Sequence, residues 1–251
     1  MSRRVASIQR HPLKSHGRET LGTVLLTEGR TLPWDRHWAV AHDAAKLTAG
    51  EWGPCANFSR GSKAPNLMAI SARFDEAARC LTLSHPDKPD LTFRPDDDAD
   101  LPRFLDWVRP LCPPDRAQPV RIFNAAERGL TDTDYASVSI LSCASNRALG
   151  EHVGLDLSMR RWRGNFWIEG LRPFEERSWI GRRLRLGKAI VKVVEPIARC
   201  LATSANPATG MRDVDTLGAL KGLVGDQDFG VYATVVEGGT VSTGDLLEPL
   251  P

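Results

Sequence analysis

The sequence predicts a mainly β fold of the α+β class, with barrel-type sheets and peripheral helices. Short apolar runs recur between glycine, proline and aspartate residues, for example at 5–9, 38–41 and 138–141. Runs of this length bounded by turn residues predict strands. Few segments have helical spacing, and many short strands with few helices are typical of barrel architectures. We predict two domains, over residues 1–110 and 111–251.

In the first predicted domain, strands are expected at 5–9, 24–26, 38–41, 69–74, 81–84 and 91–93. One helix is predicted from Leu101, Phe104, Leu105 and Val108, which are spaced i, i+3, i+4, i+7. The aspartates at 96–98 precede this stretch, where negative charge favours a helix N-terminus.

The second predicted domain begins in a proline-rich connector, with prolines at 110, 113, 114 and 119. A strand at 138–141 leads into a helix that serines are suited to cap. Further strands are predicted at 166–168 and 246–247, hairpins at 184–194 and 231–241, and a short helix at 217–223.

Composition excludes several classes of function. The 251 residues carry a net charge of +2, which gives no electrostatic reason to expect nucleic acid or membrane as a partner. The cysteines are scattered without a CxxC pair, which argues against a zinc ribbon or an iron–sulfur cluster. Motifs of serine hydrolases, nucleotide-binding loops and zinc peptidases are absent. With neither a signal-peptide core nor a bilayer-length apolar run, we expect a cytoplasmic protein with reduced thiols.

The segment 199–210 is the most informative for chemistry. Cys200 follows Arg199, whose guanidinium favours the reactive thiolate form of a cysteine. The Asn-Pro-x-Thr-Gly turn at 206–210 is of a kind whose N–H groups and hydroxyls bind anions. Two interpretations stay open: a metal or sulfur-transfer site at Cys200, or a buried structural cysteine beside a surface turn.

Four further segments carry residues that suit an anionic ligand. Lys14 and Ser15 together offer one cation and one hydroxyl, and Arg36 has Asp35 beside it. Arg163 and Asn165 alternate onto one strand face, and Tyr232 lies two residues after Gly230. Each position also has a structural interpretation, as a surface dipeptide, a salt bridge, a strand start or a strand end.

Taken in order, these blocks resemble the MOSC family, named for the C-terminal domain of molybdenum-cofactor sulfurase. The blocks lie at residues 11–15, 35–38, 163–165, 173–181, 199–210, 229–232 and 244–245. The resemblance implies a MOSC-type β-barrel with peripheral helices, preceded by a smaller N-terminal β-barrel-like domain. Gly164, Arg177 and Asn206 depart from the family pattern without removing an implied ligand.

The resemblance also implies a molybdenum cofactor (molybdenum–molybdopterin), with Cys200 as the metal ligand and catalytic residue. A thiolate is a soft ligand that suits such a metal. The implied cofactor-binding residues are Lys14, Ser15, Arg36, Ser142, Ser145, Arg163, Asn165, Arg199, Thr203 and Tyr232.

The function implied is an oxidoreductase that reduces small N-hydroxylated substrates. Some relatives carry an iron–sulfur domain that this chain lacks, so we expect a separate electron-donor protein, ferredoxin-like or cytochrome b5-like with its reductase. One alternative is a carrier of the cofactor, or of persulfide sulfur on Cys200, without its own turnover. Another is a structural or regulatory domain in which Cys200 is inaccessible. Pyridoxal phosphate is associated with the family only through a sulfurase domain that does not fit this length.

Overall fold

Strands make up most of the regular structure in the computed structural model, which describes residues 2–125 and 128–251. The strands are β1 (Arg4–Arg10), β2 (Glu19–Leu21), β3 (Thr23–Leu26), β4 (Trp38–His42), β5 (Ser71–Asp75), β6 (Cys80–His85), β7 (Lys88–Phe93), β8 (Pro119–Asn124), β9 (Val138–Ser142), β10 (Phe166–Glu169), β11 (Arg183–Leu186), β12 (Ala189–Ala198), β13 (Asp228–Glu237), β14 (Gly239–Ser242) and β15 (Leu247–Pro249). The α-helices are α1 (Leu101–Val108), α2 (Cys143–Val153) and α3 (Thr216–Val224). The predicted mainly β, α+β fold class is confirmed.

The largest sheet has the order β15-β11-β12-β13-β9-β10-β1-β2. Its apolar residues form one core cluster that draws on both ends of the chain, including Val5, Ile8, Phe166, Val191 and Val231. Only the β9–β10 pair is parallel; the other neighbouring strands of this sheet run antiparallel.

This sheet curls round its core. The Val5 amide donates to the Asp245 carbonyl at 2.9 Å, and the Leu247 amide donates to the Arg3 carbonyl at 3.0 Å. These bonds join β1 to the segment that enters β15, at the opposite end of the strand order. The contact is an isolated bridge between Arg4 and Leu246, so the described residues form a strongly curved sheet without a continuous closed ladder.

A second core lies under the smaller sheets β5-β6-β7 and β4-β8. Helix α1 follows the bounds that its spacing predicted and buries Phe104, Leu105, Trp107 and Val108 against this core. Among the described residues, no helix combines the length and apolarity needed to cross a bilayer.

Two sequence-based details were wrong. Strand β14 pairs with β3, so it does not form the predicted terminal hairpin with β13. No strand was predicted directly after the proline-rich connector, but β8 begins at its last proline and pairs with β4. The structure also pairs β1 with β10 and β3 with β14, across the predicted boundary at residue 110. The division into two domains therefore stays a prediction.

Candidate functional site

A cavity of about 260 Å³ lies where the turns after β1 and before β4 meet the segment that follows β12. It is lined by most of the residues that the sequence singled out: Lys14, Ser15, Arg36, Arg163, Arg199, Cys200, Thr203 and Tyr232. Residues from both halves of the chain therefore converge on one site.

Lys14 is fixed by its backbone and by its ammonium group. Its amide donates to the Trp38 carbonyl at 2.7 Å, which ties the turn to the start of β4. Its Nζ donates to the Leu130 carbonyl at 2.7 Å and to Asp132 Oδ1 at 2.5 Å. The side chain of Lys14 is almost fully buried, whereas that of Asp132 is 56% exposed. A charged lysine is thus held at the inner wall by a carboxylate at the rim.

Arg36 is positioned by the buried carboxylate of Asp35. One oxygen of Asp35 accepts from the His11 amide at 2.7 Å, and the other pairs with Arg36 Nη1. The second terminal nitrogen of Arg36 donates to the Arg163 carbonyl at 2.6 Å. Burial alone would raise the pKa of the Asp35 carboxyl, but Arg36 and His11 outweigh burial and hold this pKa well below its usual range.

Arg163 and Arg199 add positive charge to the cavity wall. Burial, followed by the charges of Arg36 and Arg18, lowers the pKa of Arg163 to about 9, and burial lowers that of Arg199 to about 10. Both groups stay protonated at neutral pH. The buried Nη2 atom of Arg163 has no hydrogen-bond partner among the described residues. An anion in the cavity would relieve this excess of positive charge.

Arg199 is fixed by aromatic rings and carbonyl groups. Its guanidinium lies 5.6 Å from the ring centroid of Trp162 and 5.8 Å from that of Phe229, and these two rings stack 3.9 Å apart. It also donates to the carbonyls of Trp162 and Phe229, each at 2.8 Å. Cation–π contact and hydrogen bonds together hold the charge beside Cys200.

Three residues of the cavity wall adopt left-handed backbone conformations. Ser15, Arg36 and Arg163 have φ values of 63°, 51° and 51°. Non-glycine residues in this region cost about 1 kcal/mol or more each, and such strain concentrates at functional sites. The fold therefore holds these side chains in place before any ligand arrives.

Cys200 is exposed at the cavity wall. It immediately precedes a 3-10 turn at Leu201–Ser204, and its carbonyl accepts from the Thr203 amide at 3.1 Å. The interpretation of a buried structural cysteine is wrong, because the sulfur-bearing residue is open to solvent. The hydroxyl of Thr203 bonds to the Cys200 carbonyl and to Thr216, so it braces this turn from within.

The turn at 206–210 is structural in its hydrogen bonding. The amide of Ala208 donates to Asn206 Oδ1 at 2.8 Å, and that of Gly210 donates to the Asn206 carbonyl at 2.8 Å. None of these turn residues lines the cavity. The sequence predicted that the amides of this turn bind an anion. In the structure these amides are already hydrogen-bonded within the turn, so this prediction was wrong.

Arg18 clamps this turn to the first half of the chain. Its guanidinium donates to the carbonyls of Met68, Ile70 and Pro207 at 2.8, 2.9 and 2.9 Å. We expect Arg18→Met to lower the free energy of unfolding by about 2 kcal/mol, because buried carbonyls lose their donors. Urea unfolding measures this loss, and amide exchange at Gly210 should accelerate. Arg18→Lys keeps the charge but lacks the planar fork, so full rescue by lysine would contradict the clamp.

Ser142, Ser145 and Asn165 lie outside the cavity lining. Ser142 caps α2 by accepting from the Ser145 amide at 3.1 Å, as the sequence predicted for a serine in this stretch. Asn165 accepts from the amide and hydroxyl of Ser139 and donates to the Gln9 carbonyl at 3.2 Å. The hydrogen bonds of Asn165 thus hold β1 and β9 together, and that of Ser142 begins α2, so these groups stabilise the fold around the cavity.

Ser145 leads to a buried acid that sequence reasoning missed. Its hydroxyl donates to Glu176, at 2.9 and 3.0 Å from the two carboxyl oxygens, and accepts from the Phe174 amide at 2.7 Å. Glu176 is fully buried, and burial raises its pKa from the ordinary 4.5 to about 7. The only sequence feature that could have pointed to Glu176 was the block at 173–181, which matches the family pattern Phe-x-Glu.

Glu176 makes stability depend on pH. The folded state holds the proton more tightly than the unfolded state, so this contribution is complete below about pH 4.5 and is lost as the pH rises through about 7. At 1.36 kcal/mol per unit, the loss is on the order of 3 kcal/mol. We expect Glu176→Gln to flatten the free energy of unfolding between pH 5 and 8, measured by urea titration at each pH. The same slope in both proteins would contradict this assignment.

Tyr232 lies on β13 and faces the cavity from the sheet. Burial and then the Asp132 carboxylate raise the pKa of its phenol to about 12. The phenol therefore keeps its proton across the neutral range and can donate a hydrogen bond to a ligand.

The loop at 54–64 supplies cavity residues that sequence reasoning did not select. Cys55, Arg60, Gly61 and Ser62 line the cavity, and Arg60 Nη1 lies 3.2 Å from the sulfur of Cys55. The sequence offered only a polar loop containing glycine and proline. From the second half of the chain, Arg161 also lines the cavity and forms a two-fold ion pair with Asp213 at 2.7 and 2.6 Å.

Comparison with known proteins matches both halves of the chain to family models. The model of the MOSC N-terminal beta barrel domain matches residues 2–108, and that of the MOSC domain matches residues 128–248. The molybdenum cofactor sulfurase of Drosophila grimshawi is 34% identical over 41% of this chain and 13% of its own length. The mitochondrial amidoxime reducing component 2 of Homo sapiens is 30% identical over 45% of this chain and 36% of its own.

The chain thus spans well under half the length of these curated relatives. Among solved structures, the YUAD protein from Bacillus subtilis covers 99% of this chain and 96% of its own, at 13% identity and a TM-score of 0.47. The two family models together match most of the sequence, in the order that the residue blocks indicated. The chain belongs to the MOSC family.

Proposed function

We propose that this protein binds a molybdenum–pterin cofactor in the Cys200 cavity and reduces N-hydroxylated compounds with electrons from a separate redox protein. The observation that carries the proposal is an exposed thiol in a cavity lined by three guanidinium groups that have no carboxylate partner in the described structure. Relatives named as molybdenum cofactor sulfurases support the link to this cofactor, and one named as an amidoxime reducing component supports the reduction.

The charges of the cavity suit such a ligand. Arg60, Arg163 and Arg199 line it without a carboxylate ion-pair partner in the described part of the chain, and Asp132 is its one acidic lining residue. A phosphate group prefers such guanidinium and ammonium donors. Within residues 2–125 and 128–251, no cluster of three or more His, Cys, Asp or Glu side chains could hold a metal ion.

Roles for the residues follow from their chemistry. Cys200 would supply the thiolate ligand, and Lys14, Arg36, Arg163 and Arg199 would hold the anionic groups. When bound, the cofactor supplies the two-electron redox chemistry that cleavage of an N–O bond requires. The overall reaction takes R–NHOH, two electrons and two protons to R–NH₂ and water. Tyr232, which keeps its proton at neutral pH, is suited to donate a hydrogen bond within the cavity.

Metal analysis of the protein from a cofactor-competent host tests the proposal, together with reduction of benzamidoxime by a chemical electron donor. We expect near-stoichiometric molybdenum and turnover to benzamidine. Molybdenum without turnover would overturn the reductase function and leave cofactor binding. Absence of molybdenum from protein of normal thermal stability would overturn both.

The alternative of a sulfur or cofactor carrier has one observation in its favour. Cys200 is exposed, as a sulfur atom must be if it is handed to another protein. A persulfide on Cys200 after incubation with a cysteine desulfurase and cysteine, seen by mass spectrometry in molybdenum-free protein, would favour this alternative. The same exposure argues against a purely structural role for the cysteine.

A further inference from the structure

A second cavity, of about 250 Å³, lies beside the Cys200 cavity in the first half of the chain. It is enclosed by the end of β4, the loop at 54–64 and the segment at 112–117. Arg60 is the only lining residue that the two cavities share in the described structure. Apart from Arg60, no residue with a role in the proposed cofactor site lines the second one.

Its walls are held by hydrogen bonds. The amide of Ser59 donates to the Val40 carbonyl at 2.8 Å, which lays the loop along β4. His42 Nε2 lies 2.7 Å from the Ala56 carbonyl. On the opposite wall, the side-chain Nε2 of Gln118 donates to the carbonyls of Pro113 and Arg116 at 2.9 and 2.7 Å. The cavity is thus shaped by backbone that is fixed on both sides.

The lining combines apolar surface with positive charge. Phe58, Ala64 and Cys112 are buried and form its apolar part. Three cations line the cavity, namely Arg60, Lys63 and Arg116, and no aspartate or glutamate does so in the described structure. Arg116 contacts the Asp115 carboxylate at 3.7 Å, but both side chains are well exposed, and such a pair contributes little.

Two polar atoms of the lining residues lack partners in the described structure: the hydroxyl of Ser59 and Nδ1 of His42. Ser59 is only 7% exposed, and an unsatisfied buried hydroxyl is costly. His42 Nε2 faces a carbonyl and donates to it, whereas Nδ1 of the same ring has no protein partner in the described structure. A ligand with polar atoms as well as an apolar body would satisfy more of this lining than water alone.

We propose that this second cavity binds a small organic monoanion with an apolar body, of the aromatic or short-chain carboxylic acid class. Its volume equals roughly eight waters at ~30 Å³ each, which suits a single ring with one carboxylate. The carboxylate would lie toward the cations, and the apolar body would pack on Phe58 and Ala64. Neither the ligand class nor its test depends on the chemistry of Cys200.

Calorimetric titration with sodium benzoate, and separately with inorganic phosphate, tests the site in the full chain. The double variant Lys63→Glu/Arg116→Glu reverses two exposed rim charges, and Lys192→Glu on β12 is the matched control far from the cavity in sequence. We expect the double variant to weaken benzoate binding at least about tenfold, because two charge-assisted contacts become repulsive. The control should leave it unchanged.

A filling variant separates the two cavities. Ala117→Trp places a large ring in the second cavity from an exposed position, so it should abolish benzoate binding without unfolding the protein, as judged by thermal denaturation. Arg163→Gln alters only the Cys200 cavity and should leave benzoate binding intact. Loss of benzoate binding in Arg163→Gln, equal affinity for phosphate, or no saturable binding at millimolar benzoate would each overturn the proposal.

Discussion

Cys200→Ser is expected to lose bound molybdenum and to reduce benzamidoxime at least about 100-fold more slowly than the parent protein. Loss of a partner that merely orients a metal ligand costs 10- to 100-fold, and the thiolate here would be the ligand itself. A serine hydroxyl stays protonated at neutral pH and is a harder donor than sulfur. Molybdenum content by plasma mass spectrometry and the rate of benzamidine formation are the two measurements.

Two cysteines provide matched controls for this variant. Cys55 shares the cavity with Cys200, whereas Cys80 lies on β6 and approaches the Phe93 carbonyl. Both Cys55→Ser and Cys80→Ser are expected to retain molybdenum. If Cys55→Ser lost the metal and Cys200→Ser kept it, the ligand would be assigned to the wrong thiol.

Asp35→Ala is expected to lower the free energy of unfolding by roughly 3–5 kcal/mol, the usual cost of leaving a buried charge without its partner. Asp35 is 1% exposed and pairs with Arg36, whose side chain is 14% exposed. The variant also removes the acceptor of the His11 amide. Urea unfolding measures the loss, and molybdenum content should fall with it because Arg36 is no longer held at the cavity.

The pair of Arg183 and Glu237 is the control for this variant. Both side chains are about half exposed, and their 2.9 Å contact lies on the surface of the main sheet. Glu237→Ala should cost at most about 1 kcal/mol. Asp35→Asn keeps an oxygen acceptor for the His11 amide but not the charge. Its loss of unfolding free energy should therefore lie between those of Asp35→Ala and Glu237→Ala. Equal losses in Asp35→Ala and Glu237→Ala would show that burial of this pair does not matter.

The sequence predicted correctly those elements that depend on a few neighbouring residues. The apolar spacing of α1 and the capping serine of α2 are such signals, and both elements have the expected positions. The partner of β14 was not foretold, because pairing depends on how the sheet curls. Adjacent glycines at 238 and 239 favour a hairpin with β13, yet the strand turns to β3, and a Cβ at Gly238 would approach the Leu26 carbonyl.

The residues of the candidate site also divide into those that the sequence predicted and those that it did not. The turns that carry Lys14, Arg36, Arg163 and Cys200 could be chosen from residue blocks, since each block holds its own charge or thiol. The loop that brings Arg60 and Cys55 could not be chosen. It has no periodic pattern, and its place in the cavity wall depends on the Ser59–Val40 bond to a strand distant in the sequence.

The junction of β1 with residues 244–247 has a consequence for how this protein is made. Lys14 and Ser15 leave the ribosome early, but the strand that leads to them is completed by bonds to Gly244, Asp245 and Leu247. At 5–20 residues per second, roughly 10–50 seconds of synthesis separate the two ends of that junction. Contacts so distant in sequence also form slowly. A nascent chain therefore cannot offer a finished cavity before residues 244–247 have been made, and any cofactor must be loaded after that point.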